Sequence, residues 1–166
     1  MMPGHGNLVL ESRVPSGPYG AAIGEAFRRL PSGIRNRLSH VQFICGVSPI
    51  FAGLHRYEAI GDGRSYATTA HCCWPWNIQG PADRRVTTVV LPTVDTAQPH
   101  VIVHELGHAL HDIVGLHAVA QPVTWYAKTN RYEAFAEALV AHTHYYGDRD
   151  VYHGDKKTIA LFRELS

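Results

Sequence analysis

Cysteine is scarce in this sequence, and the scarcity excludes one way of holding a small domain together. The chain has three cysteines, Cys45, Cys72 and Cys73, and this odd number cannot form a closed disulfide framework. Successive side chains of a strand point to opposite faces, so we expect one of the adjacent pair Cys72 and Cys73 to be buried as a small apolar residue. The cysteines therefore predict a reduced environment.

Long apolar runs and an excess of charge of one sign are also missing. No run approaches the roughly 20 apolar residues that span a membrane, and residues 1–6 lack the charged and apolar regions of an ordinary secretory signal. Lys and Arg total 15 against 14 Asp and Glu, a formal net charge of +1, and the basic residues are scattered. Nucleic-acid or membrane binding needs clustered Lys and Arg, so we expect neither partner. The sequence predicts a soluble protein and leaves its compartment open.

The composition and the length indicate one globular domain. Hydrophobic residues make up 45% of the chain and charged residues 17%, which is an ordinary balance for a folded protein. A chain of 166 residues suits a single core. We therefore expect one domain over residues 1–166, with a subregion of helices and strands over about 1–97 and a helical subregion over about 98–166.

Local patterns predict an α+β fold, because helical and strand-like stretches are separated by Pro and Gly breaks. In chain order, the expected elements are a strand over 7–14, a helix over 20–30, a short helix over 32–38, a strand over 41–45, strands over 64–74 and 85–91, a helix over 99–114, a helix from Asn130 to Gly147 and a helix over 155–165. Residues 49–63 are expected to be irregular. The elements predict a small twisted mixed sheet packed on an active-site helix, a second helix that carries glutamates and a C-terminal helix.

The helix predicted over 99–114 carries the run His104-Glu105-Leu106-Gly107-His108, which fits the His-Glu-x-x-His pattern of zinc peptidases. Positions i and i+4 share one helix face, so His104 and His108 can reach one metal ion. Gly107 costs about 1 kcal/mol relative to Ala in a helix interior, which predicts the close approach of another backbone. The apolar stripe on the other face consists of Ile102, Leu106, Ala109, Leu110 and Ile113.

A catalytic zinc ion needs a third protein ligand and an open position for water. Glu133 and Glu137, one turn apart on the next predicted helix, are the leading candidates, and His111 is a rival on the same helix as His104. The pattern leaves alternatives open. Glu133 can close a capping box with Asn130, and His111 can lie beside the ligands or at the surface.

Two further residues have chemical roles in this interpretation. Glu105, adjacent to the ligands, is the candidate base that takes a proton from the metal-bound water and passes it to the leaving amine. Tyr126, upstream of the second helix, is the candidate donor to the developing oxyanion. His71 with Cys72 and Cys73 is a weak metal signal, because adjacent cysteines strain around one ion.

These residues together resemble the catalytic domain of the anthrax lethal factor-like zinc metallopeptidases, a family that includes the Pro-Pro endopeptidases. In that family a tyrosine lies seven residues before the zinc-binding glutamate and a second glutamate follows it after four, as Tyr126, Glu133 and Glu137 do here. The resemblance implies that Glu133 is the third zinc ligand, that Tyr126 faces the oxyanion and that Glu137 orients a histidine. It covers about residues 99–147, and it implies a sheet edge that pairs with an extended peptide.

The sequence therefore predicts a zinc-dependent endopeptidase with one catalytic Zn²⁺, held by His104, His108 and Glu133, that hydrolyses an extended segment of a protein. Two alternatives remain. The first is a catalytically silent or structural zinc-binding domain of the same fold, and the second is a toxin-like effector with the same chemistry. The metzincin pattern is excluded, because it would need Gly at His111 and His at Val114.

Overall fold

The fold combines a four-stranded mixed sheet with five helices, and its class is the predicted α+β. The computed structural model describes residues 8–9, 17–46, 59–61, 64–65, 68–75, 86–115, 117–144 and 155–166. The strands are β1 (Leu8–Val9), β2 (Gln42–Cys45), β3 (Ala59–Gly61), β4 (Arg64–Ser65), β5 (His71–Cys73) and β6 (Thr88–Leu91). The helices are α1 (Gly17–Arg29), α2 (Ser32–Arg37), α3 (Pro99–Val114), α4 (Arg131–His144) and α5 (Lys156–Leu165).

The main sheet has the strand order β1-β2-β6-β5, and β3 and β4 form a separate antiparallel pair. The strand β2 runs parallel to β6 and antiparallel to β1, and β5 runs antiparallel to β6. All four residues of β6 are buried, as an inner strand covered on both faces requires. In the part of the chain that the structure describes, β5 lies at one edge of this sheet.

Helix α3 is the central element of the packing, because it contacts α1, α2 and α4 as well as β5 and β6. The residues at its two ends explain its bounds. Pro99 lies in the first turn, where a backbone N–H would make no hydrogen bond within the helix, and Gly115 follows the last turn with φ +79°. Leu106 and Leu110 are fully buried. The prediction of a helix over 99–114 is confirmed. Among the described helices, none is both long and apolar enough to cross a membrane.

The two helices that follow begin at side-chain caps. The Asn130 carboxamide oxygen accepts hydrogen bonds from the N–H groups of Tyr132 and Glu133, at 2.9 and 3.0 Å. The Asp155 carboxylate accepts from the N–H groups of Lys157 and Thr158 at the start of α5. Both helix starts agree with the sequence, whereas the predicted end of α4 at Gly147 lies outside the described residues.

The strand predicted over 64–74 is wrong in one respect, because the chain turns in the middle of it. The N–H groups of Thr68 and Thr69 both donate to the carbonyl of Ser65, the last residue of β4. The chain then enters the four-stranded sheet as β5. Thr, Cys and Trp favour strands, so composition alone did not reveal this turn. Within the stretch 49–63, expected to be irregular, residues 59–61 form β3.

Other boundaries also differ from the predictions. Helix α1 begins at Gly17 rather than Gly20, since Pro18 is tolerated in a first helical turn. Strand β6 begins at Thr88, later than the predicted residue 85, which itself lies outside the described part. Of the strand expected over 7–14, the structure describes only β1. Ile113 is 42% exposed and does not belong to the buried stripe of α3.

Candidate metal centre

The site begins with two histidines of helix α3. His104 and His108 are one turn apart on α3, and their ring centroids lie 4.9 Å from each other. Gly107, between them, explains how α4 comes close enough to add a third group. A Cβ placed on Gly107 would stand 2.7 Å from the Ala136 Cα, so only the absence of a side chain permits this distance between the helices. The predicted close approach of a backbone is confirmed.

Glu133 supplies the third group from the first turn of α4. Its Oε2 atom lies 2.9 Å from Nε2 of His104 and 3.5 Å from Nε2 of His108. The Glu133 N–H is held by Asn130, while its carboxylate is turned towards the histidines. Asn130 thus caps α4 and Glu133 faces the histidines, so the cap and the metal-site position are compatible.

The three groups fit a metal ion, because their ligand atoms all lie within 4.8 Å of one another. Two ligands of a tetrahedral zinc ion, each about 2.0–2.1 Å from it, are about 3.3 Å apart. The distances of 2.9 and 3.5 Å from Glu133 Oε2 to the two imidazole nitrogens lie on either side of that value. Glu133 Oε2 is buried and accepts no hydrogen bond of acceptable geometry from the described residues, although both imidazole nitrogens are near it. His104, His108 and Glu133 could therefore hold a metal ion.

The charges at the site reinforce one another. Burial alone would lower the pKa of His104, but the carboxylates of Glu133 and Glu137 beside its two ring nitrogens outweigh burial and raise the pKa to about 10. Burial alone would raise the pKa of Glu133, but contact with His104 and His108 holds that pKa well below its usual range. These shifts favour a positively charged His104 beside an ionised Glu133.

Glu137 contacts His104 from the other side of the ring. Nδ1 of His104 lies 2.7 Å from the Glu137 Oε1 atom, and because an ionised carboxylate only accepts, Nδ1 carries the proton of this bond. The hydrogen bond leaves Nε2 of His104 directed at Glu133. Glu137 thereby fixes the ring orientation, as carboxylates commonly do for metal-binding histidines. Its second oxygen accepts a hydrogen bond of 2.9 Å from the Thr124 hydroxyl.

Glu105 and Tyr126 border the same solvent-accessible cleft, which also reaches His104 and Glu137 and has a volume of about 380 Å³. Glu105 is buried, with 6% of its surface exposed. Tyr126 begins a 3₁₀ turn over Tyr126–Lys128, and its ring centroid lies 5.9 Å from that of His104. The structure thus brings Glu105 and Tyr126 to the cleft that the candidate ligand His104 lines.

His111 is not among the three residues whose ligand atoms converge. It is buried, and its ring stacks on Phe135 with centroids 4.3 Å apart and an angle of 9° between the planes. Its Nε2 atom accepts a hydrogen bond from the His117 N–H. Burial lowers the pKa of His111 to about 4, so its ring is neutral near pH 7. The expectation that His111 lies at the surface is wrong, because its helix position points its ring into the core against α4. That His111 supports the ligands from beside them stays a prediction.

The thiols do not form a second metal centre in the described part of the chain. Cys45, Cys72 and Cys73 are buried and form no disulfide bond, and His71 is not grouped with them around a common point. Burial raises the pKa of the Cys73 thiol to about 12, with a further contribution from Glu105. A thiolate is the form that binds metal, so these residues act as apolar packing.

Sequence reasoning missed three residues of the site. Thr124 contacts Glu137, the Trp74 ring packs edge-on to His108 at 6.0 Å, and Asp95 lines the cleft. None of these residues has a spacing from the histidine pair that a motif would recognise. The proximity of Thr124 to the Tyr126 turn was the only available signal, since Ser and Thr often cap such turns.

Comparison of this chain with protein-family models, curated proteins and solved structures finds no match. The case for the site therefore depends on the residues and on their geometry.

Proposed function

We propose that this protein is a zinc-dependent endopeptidase that hydrolyses peptide bonds in an extended segment of a protein. One observation carries the proposal: the atoms of His104, His108 and Glu133 that can bind a metal lie within 4.8 Å of one another, and His104 lines a cleft that Glu105 also lines. Nitrogen and oxygen donors from two histidines and a glutamate are a ligand set of catalytic zinc sites.

The chemistry divides between the ion and the protein. Bound Zn²⁺ would lower the pKa of a water molecule towards neutrality and polarise the substrate carbonyl. Glu105, next in sequence to His104, would take the proton of that water on a carboxylate oxygen and then deliver it to the nitrogen of the leaving amine. Its burial supports this role, because a carboxylate shielded from bulk water exchanges protons with the bound reactants.

The neighbouring side chains would position the reactants. The Tyr126 hydroxyl would donate to the oxygen of the scissile carbonyl as negative charge develops there, an interaction that strengthens in the transition state. Glu137 would keep His104 in the tautomer that presents Nε2 to the ion. Both roles follow from side chains that border the cleft.

The sheet edge supplies a place for the substrate. Thr68, Thr69 and Ala70 line the cleft and lead directly into β5, the strand at the edge of the described sheet. An extended peptide can add to such an edge through main-chain hydrogen bonds. Strand β6 is enclosed between β2 and β5, so β5 is the candidate for this role.

Digestion of a peptide library tests the proposal, with and without a chelator and after zinc is restored. We expect cleavage that the chelator abolishes and zinc recovers. The Glu105→Gln variant should retain zinc and lose at least about 10²-fold in rate, because it removes the general base. Glu164→Gln, on the exposed side of α5, is the matched control and should cleave at the wild-type rate.

Two results would contradict the proposal. One is a zinc-loaded wild-type protein that binds peptides and cleaves none of the library, which would favour a catalytically silent zinc-binding domain. The other is a Glu105→Gln variant with full peptidase activity, which would remove Glu105 from the mechanism.

A further inference from the structure

We propose that Thr124 is a positioning residue that couples the catalytic turn of Tyr126 to the metal ligand His104 through Glu137. The inference rests on the proposed function and adds to it a residue outside every recognised motif. Its basis is a continuous series of three hydrogen bonds between the turn and the ligand.

The series runs from α3 to the loop before α4. Nδ1 of His104 lies 2.7 Å from Oε1 of Glu137, and the Thr124 hydroxyl donates to Oε2 of the same carboxylate over 2.9 Å. The Thr124 oxygen also accepts from the N–H of Ala127 over 3.0 Å. Glu137 therefore uses one oxygen for the ligand and the other for the loop.

The proton positions in this series are determined. A carboxylate only accepts, so the single hydroxyl proton of Thr124 must point to Glu137. The oxygen of Thr124 is then left with lone pairs for Ala127. Rotation of the hydroxyl away from Glu137 would break a hydrogen bond to an ionised group, which is stronger than a bond between neutral groups. The Glu137 pKa is lowered in part by this bond, after the larger contribution of His104 that overcomes burial.

The turn that receives this hydrogen bond carries Tyr126. Ala127, the second residue of the turn, is only 1% exposed, so burial holds the middle of the turn against the protein. Thr124 adds a directional contact, because its hydroxyl accepts from the Ala127 N–H and donates to Glu137. Neighbouring Trp125 is 86% exposed and gives the turn little packing on its outer side. The separation of Tyr126 from His104 thus depends on Thr124.

Because Thr124 is exposed, a positioning role and a purely structural role predict different effects when its hydroxyl is removed. Its hydroxyl lies at the surface, so water can replace it as a partner of Glu137 and Ala127. Loss of the hydroxyl should therefore change global stability little. A mobile water does not hold the turn and the carboxylate at one fixed separation, so the losses should appear in zinc affinity and in kcat.

The test compares Thr124→Val with Thr124→Ser in the full-length protein. Valine keeps the shape of threonine and removes its hydroxyl, whereas serine keeps the hydroxyl. Thr129→Val is the matched control, because Thr129 is exposed at the end of the same turn and its hydroxyl has no hydrogen bond to the described residues. Zinc affinity is measured by competition with a chromogenic chelator, and kcat, KM and Tm are measured on the same samples.

We expect Thr124→Val to weaken zinc binding about tenfold, at the lower end of the effects known for residues that support metal-binding histidines. It should lower kcat and leave KM unchanged, because the Tyr126 hydroxyl acts in the transition state. Thr124→Ser should restore both values, and Thr129→Val should change neither. In a Glu137→Gln background, Thr124→Val should have a much smaller effect on zinc affinity, because the series is already broken.

The inference is overturned if Thr124→Val binds zinc as tightly as the wild type, or if Thr124→Ser loses as much as Thr124→Val. Equal losses in the presence and absence of Glu137→Gln would also overturn it. If the wild-type protein binds zinc and cleaves no peptide, only the proposed function is overturned. The zinc affinities of the Thr124 variants then test the role of Thr124 by themselves. A wild-type protein that binds no zinc overturns both.

Discussion

Gly107 of α3 lies against Ala136 of α4, and the gap between them is too narrow for a side chain. A Cβ on Gly107 would be 2.7 Å from the Ala136 Cα and 3.3 Å from its carbonyl oxygen. Ala136 lies on α4 between Glu133 and Glu137, the two carboxylates that contact His104. The glycine therefore sets the distance across which α4 delivers both carboxylates to the histidine.

Gly107→Ala should destabilise the protein and weaken its metal site. Overpacking of a backbone contact costs about 1–3 kcal/mol, which exceeds the gain of about 1 kcal/mol from replacing glycine in a helix. Urea unfolding should show a lower free energy of unfolding, and zinc affinity should fall because α4 moves away from His104. Gly24→Ala is the control. Its nearest contact is the flexible Arg28 Nη1 at 3.6 Å, so it should stabilise α1 by up to about 1 kcal/mol. A Gly107→Ala protein as stable as wild type would contradict this account.

Glu133 and Glu137 should differ when each is substituted. Glu133→Ala removes a ligand atom, so the purified variant should hold far less than one zinc per chain. Glu137→Gln removes only the carboxylate that orients His104, so it should still bind zinc with an affinity lower by about 10–100-fold. Elemental analysis and chelator competition measure the two effects. If Glu137→Gln lost zinc while Glu133→Ala kept it, the two assignments would have to be exchanged.

Asp155 should stabilise the protein in a pH-dependent manner. Its carboxylate caps α5 and also accepts from the Ala120 N–H and the Thr158 hydroxyl, and these hydrogen bonds outweigh burial and lower its pKa. A lowered pKa means that this stability is fully present above the unfolded value near 3.9 and is lost as the pH falls towards the folded pKa.

The Asp155→Asn variant should accordingly be less stable at pH 7 by about 1–2 kcal/mol, because the Ala120 N–H loses its acceptor. The difference from wild type in the free energy of unfolding should shrink as the pH falls below the unfolded value near 3.9 and towards the lower folded pKa of Asp155. Thermal and urea unfolding across pH measure it. A difference that grew as the pH fell would have the wrong sign.

The three cysteines should be unreactive in the folded protein. Burial raises the pKa of Cys45 and of Cys73 to about 12, and it raises that of Cys72 well above its usual value. Since the thiolate is the reactive form, a thiol reagent should label the native protein slowly and all three residues at once in denaturant. Rapid labelling of the native protein at pH 7 would contradict the described burial.

Helix α3 could be predicted residue by residue, because its signals are local. Pro99 and Gly115 mark its ends, and the i, i+4 spacing of His104 and His108 follows from helix geometry alone. The need for a close neighbour at Gly107 could also be deduced, from the cost of glycine in a helix. Each of these inferences uses contacts within one or two turns of the chain.

The third group of the site could not be chosen by local reasoning. Glu133, Glu137 and His111 all lie at acceptable helical positions, and only the packing of α4 on α3 separates them. It places Glu133 between the histidines and stacks His111 on Phe135. Family resemblance favoured Glu133 through its spacing from Tyr126, which is information that the physical pattern of one sequence does not hold.

Long-range pairing explains the remaining errors. Residues 64–74 have the composition of one strand, but the Ser65 carbonyl accepts two N–H groups of a turn and divides the stretch. The parallel pairing of β2 with β6 joins segments far apart in the chain. The hydrogen bond from Thr124 to Glu137 likewise joins residues that are not neighbours in sequence, one in the loop before α4 and one within α4. Such contacts depend on the packed fold, and no local periodicity reports them.

Anomalous diffraction at the zinc absorption edge tests the central claim most directly. Crystals of the zinc-loaded protein should show one strong peak about 2.0–2.2 Å from Nε2 of His104, Nε2 of His108 and a carboxylate oxygen of Glu133, with a water molecule completing a four-coordinate site. Zinc bound elsewhere, or no peak between these three side chains, would contradict the account.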